Sequence, residues 1–91
     1  NESYAESHAF LADVIALGAQ PADALDIAKK AVLLDPSSSS VRLSLARVLW
    51  ALSQRDSARG TALAARALSH SDQERSQAEE LIAFFNRAPA N

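Results

Sequence analysis

Apolar residues in this chain recur at helical spacing, and the pattern returns 34 residues later. Leu11 falls on Leu45, Ala12 on Ala46, Val14 on Val48 and Ile15 on Leu49. Further along, Ala24 falls on Ala58, Ala28 on Ala62, Ala31 on Ala65 and Leu34 on Leu68. A fixed period in this range marks a stacked repeat, in which each unit buries its apolar face against the next. The expected architecture is all-α, built of antiparallel helix hairpins in an α-solenoid of about five helices.

The start and stop signals divide the chain accordingly. Ser3-Tyr4-Ala5-Glu6 has the form of a capping box, and Phe10, Leu11, Val14 and Ile15 follow at helical spacing. With Gly18 as a stop, a first helix is predicted over about 3–17. Pro21 suits a first helical position and Asp23 a first turn. The second helix then runs to about 34, with Ala24, Leu25, Ala28, Ala31, Val32 and Leu34 on one face. Its small side chains let a neighbouring helix approach closely.

Asp35-Pro36 ends that helix, and the run Ser37 to Ser40 reads as an N-cap with a solvated first turn. A third helix, about 38–52, should bury Val41, Leu45, Ala46, Val48, Leu49 and Leu52. A fourth, about 56–69, repeats the small-residue face through Ala58, Ala62, Ala65 and Leu68, with Gly60 on an exposed side. Ser71-Asp72-Gln73-Glu74 is a second capping box. It opens a fifth helix, about 72–87, with Ala78, Leu81, Ile82 and Phe85 on one stripe. There the register decays, as expected of a terminal cap with a polar outer face.

Composition agrees: alanine, leucine and serine dominate, with two glycines and three prolines in 91 residues. The chain has no cysteine, which removes disulfides, thiol nucleophiles and thiolate metal sites. No apolar run is long enough for a bilayer, so a soluble chain is expected, with the cytoplasm slightly favoured. Lack of an initiator Met suggests a segment of a longer protein. Net charge is −2, which argues weakly against nucleic acid as the main ligand, and none is expected as a partner. Its distribution is banded: about −4 over residues 1–36, +4 over 37–70 and −2 over 71–91. In a linear stack such bands attract across interfaces, and an arginine patch for an acidic ligand is the other reading.

The chain resembles the tetratricopeptide repeat. That unit is a 34-residue antiparallel helix pair with small residues where the helices cross and a proline closing the second. Matching residues are Leu11, Ala12, Ile15, Ala24, Ala28, Ala31 and Pro36 in a first repeat (about 3–36). Leu45, Ala46, Leu49, Ala58, Ala62 and Ala65 match in a second (about 37–70), followed by the capping helix (about 72–87). His8 and Arg42 stand where the family often has tryptophan, Ala12 and Ala46 replace its glycine, and His70 replaces the closing proline. Ala28 and Ala62 replace a bulkier residue, which makes the core lean.

The resemblance implies a concave groove, lined by the first helix of each unit, that receives a peptide. On a helical wheel the groove side comprises Glu6, Ala9, Asp13 and Ala16 of the first helix, and Ser40, Leu43, Arg47 and Trp50 of the third. Phe84 could close one end. Leu43 and Trp50 are seven apart, hence on one face, and off the stripe of Leu45, Val48, Leu49 and Leu52. They suggest an apolar landing site; packing of Trp50 between helices or under the capping helix is the alternative. Asp13 and Arg47 should meet across repeats, or Arg47 could hold a carboxylate of the peptide. A chaperone-type carboxylate clamp is not expected, because Glu6 and Asp13 have the wrong sign. His8 and His70 are single histidines on different units, Glu79-Glu80 point apart on a helix, and no phosphate loop or serine elbow occurs. The expected function is a non-catalytic protein-binding module without cofactor or metal. The alternative is a structural or oligomerisation segment that packs on neighbouring domains or a second copy.

Overall fold

A computed structural model describes residues 21–87. Among them are four helices and no strand: α1 (Pro21–Leu34), α2 (Ser39–Ala51), α3 (Arg55–Ala67) and α4 (Asp72–Arg87). The predicted helix over 3–17 lies outside the described residues. Each of the four observed helices lies within about two residues of its predicted span, the ordinary uncertainty of helix ends.

Local chemistry sets those ends. α1 stops because the residue before Pro36 is sterically barred from continuing a helix. The Ser38 hydroxyl accepts the Val41 N–H at 3.3 Å and caps α2 from an extended backbone. At the other end Ser53 adopts φ 64°, the left-handed region. The Gln54 N–H then reaches the Leu49 carbonyl at 2.9 Å and the Ser53 N–H the Trp50 carbonyl at 3.0 Å. These two bonds form a Schellman motif, with serine where glycine is usual. Ser71 caps α4, its Oγ accepting from the Glu74 N–H at 3.1 Å. The Glu74 carboxylate reaches one residue further back than an ordinary capping box, to the His70 N–H at 2.8 Å.

Packing follows chain order. α1 packs on α2, α2 on α3 and α3 on α4, while α2 also meets α4. The crossings are made by alanine: Ala24, Ala28 and Ala31 of α1, Ala46 of α2, Ala58, Ala62 and Ala65 of α3, and Ala78 of α4 are all fully buried. Side chains this small bring backbones close and give each crossing little apolar area. Larger buried groups among the described residues are few: Phe85, Leu43, Leu49, Val41 and Val48. Gly60 faces open space, as expected.

Two expectations change. Leu34 is not on the buried face of α1; Asp35 is, at 8% exposure. At about 100° per residue, position 35 continues the line of Ala24, Ala28 and Ala31, whereas position 34 lies about 80° away. Ser37 Oγ donates to the inward Asp35 carboxylate at 3.2 Å, which offsets part of its desolvation. The first turn of α2 is also not wholly solvated. Ser39 is buried and donates to the Ala65 carbonyl at 2.8 Å, tying the start of α2 to the end of α3.

Candidate binding hollow between α2 and α4

Because α2 meets each of the other three helices, most of its circumference is covered. Val41 and Val48 face the α1 side, packing with Ala31 and with Ala24 and Ala28. Ala46 and Leu49 pack with Ala58, Ala62 and Phe85. What stays open on one face is Ser40 and, beyond the buried Ser44, the strip of Arg47 and Ala51.

Leu43 is placed differently from the expected groove surface. It does leave the Leu45–Val48 stripe, but the side it turns to is covered by α3 and α4. Its exposure is 2%, and it packs against Ala65, Ala78 and Leu81. Leu43 is therefore core, and the expected landing site loses it. The hairpin partner alone would not hide it; the return of α4 along α2 does.

Trp50 sits on the same side one turn from the strip and is half-buried. Its ring stacks on Phe85, with centroids 4.3 Å apart and planes 9° from parallel. Phe84 stands tilted at 6.0 Å from both rings. The guanidinium carbons of Arg55 and Arg59 lie 4.6 and 5.6 Å from the Trp50 ring, within cation–π range. Arg59 also donates to the Phe85 carbonyl at 3.2 Å, in the last turn of α4, where a cation complements the helix dipole. Trp50 is thus partly packed and partly at the surface. One part of it packs under α4, and another lines the surface.

That surface is an open hollow of about 350 Å³, lined by Arg47, Trp50, Ala51, Leu81, Phe84 and Phe85. Phe84 is 50% exposed at its wall, about 100° around α4 from the buried Phe85. Of the expected groove residues, the structure brings Arg47 and Trp50 to this hollow. Glu6, Ala9 and Asp13 lie outside the described residues. The paired Phe84-Phe85 signalled an aromatic wall, and Arg55 and Arg59, four apart on α3, shared a face; only Phe84 was singled out from sequence.

The lining of the hollow is apolar apart from Arg47. Among the described residues no group of three or more histidines, cysteines or carboxylates gathers to hold a metal. In the same residues, no helix is long and apolar enough to cross a membrane. No protein-family model, curated protein or solved structure matches the chain.

Proposed function

We propose that this chain is a non-catalytic protein-interaction module of the tetratricopeptide-like kind, which receives a segment of a partner along the α2 strip and the hollow beside α4. The observation that carries this reading is the pairing of the half-exposed Phe84 and half-buried Trp50 over a rigid Phe85 base. An aromatic surface held in place by stacking costs little ordering on binding, and such anchors dominate protein interfaces. Alanine crossings repeated at 34 residues support the repeat architecture.

Trp50 is the sole tryptophan, so its fluorescence reports directly on the hollow. Titration with a peptide library should yield binders that shift Trp50 emission, and Phe84→Ser should weaken them while helical circular dichroism is retained. Binding unaffected by Phe84→Ser would remove the hollow from the interface.

A structural role is the second reading, favoured by Leu33, which is 81% exposed next to the half-exposed Leu34 at the end of α1. Sedimentation distinguishes it: a stable dimer dispersed by Leu33→Ser, with no peptide response at Trp50, favours packing on a second copy.

A further inference from the structure

We infer that the segment received by the hollow is acidic as well as apolar: one bulky apolar side chain flanked by carboxylates. This rests on the proposal that the hollow binds a partner segment and concerns its charge.

The first observation is the composition of the walls. Five of the six lining residues are apolar, and the sixth is Arg47, on the exposed strip of α2. A volume of about 350 Å³ lies at the small end of ligand cavities, enough for one or two large side chains but not for a folded surface. The second observation is what stands around the aromatic base. Arg55 and Arg59 both approach the Trp50 ring, so three arginines from two helices lie at or beside one ring. The α2–α3 hairpin as a whole, residues 39–67, has five arginines against the single acid Asp56, in a chain whose net charge is −2. That acid lies 3.5 Å from Arg59 and is fully exposed, so water screens the pair.

Charge also gives the occupant a direction. On α4 the charges one turn either side of Phe84, Glu80 and Arg87, are of opposite sign, so the charged side of the hollow is the α2 side, at Arg47. A bound segment would place its apolar side chain against Trp50 and Phe84, whose rings already touch at a centroid distance of 6.0 Å, and its carboxylates toward Arg47. Guanidinium suits this, since its planar fork meets a carboxylate through two hydrogen bonds. Complementary potential of this kind acts mainly on selectivity and association rate.

The test uses Trp50 emission and three short peptides with a central Phe flanked by Glu, by Ser or by Lys. The Glu peptide should bind about tenfold more tightly than the Ser peptide, with the Lys peptide weakest. That preference should shrink as salt rises from about 0.1 to about 1 M, where the screening length falls from about 10 to about 3 Å. Arg47→Gln, which removes the charge at an exposed position of the lining, should remove most of it while helical circular dichroism is retained. Equal binding of all three, or tighter binding of the Lys peptide, overturns the acidic preference while leaving the hollow as a binding site. A preference that survives Arg47→Gln overturns the assignment of the carboxylates to α2. No response to any peptide overturns both this inference and the proposal it rests on. So does Trp50 emission that changes with protein concentration alone, which assigns the hollow to a second copy.

Discussion

Ser53→Gly should stabilise this protein, and the amount follows from one dihedral angle. Ser53 sits at φ 64° because the Schellman bonds from Gln54 to Leu49 and from Ser53 to Trp50 require a left-handed residue there. An L-residue pays about 1–2 kcal/mol for that conformation because Cβ crowds the following carbonyl. Glycine avoids the clash but gives back about 0.4–1 kcal/mol through the greater freedom of its unfolded chain. At the middle of these two ranges the difference leaves a gain of about 0.5–1 kcal/mol. For a domain of this size the corresponding rise in Tm is about 2–8 °C. Thermal and urea unfolding followed at 222 nm measure it, with Ser53→Val as the counter-test. The β-branched side chain cannot adopt this angle without added strain and should lower the midpoint. A Ser53→Gly protein no more stable than the parent, or a Ser53→Val protein equal to it, would refute the assignment of this turn as strained.

Ala62→Leu should destabilise the fold by about 1–3 kcal/mol, because Ala62 is fully buried at a crossing whose separation is set by methyl groups; an unchanged urea midpoint would contradict the close crossing. Phe85→Ala should cost about 3–5 kcal/mol, since Phe85 is 1% exposed and supports the Trp50 ring. A red shift of Trp50 emission in that variant, while still folded, would mark the loss of the stack, and unaltered emission would count against it.

The helices were legible in sequence for physical reasons. The alanine faces of α1 and α3 are read from spacing alone, and Ala24, Ala28, Ala31, Ala58, Ala62 and Ala65 are all buried. Caps are also local: the Ser38 and Ser71 hydroxyls bind amides three residues on, a relation visible in the order of residues. The candidate site was only half legible, because it depends on how α4 returns to α2. Leu43 and Trp50 share a helical face, yet α4 buries the first and leaves the second half-open. No periodicity within α2 encodes that difference. It arises from the position of Ala78 and Leu81 opposite Leu43, and of Phe84 and Phe85 opposite Trp50. Ser39 shows the same limit: its hydroxyl looks solvated in a run of serines until the distant Ala65 carbonyl is brought to it.

The position of α2 has a consequence for motion. A helix that touches every other described helix cannot unfold without uncovering all of them, whereas among the described residues each of the others borders fewer. Amide protons in the middle of α2 should therefore be the last to exchange with deuterium. A partner seated on α2 would grip the slowest-moving of the described helices, while the wall of the hollow that α4 supplies through Leu81, Phe84 and Phe85 would open with that helix.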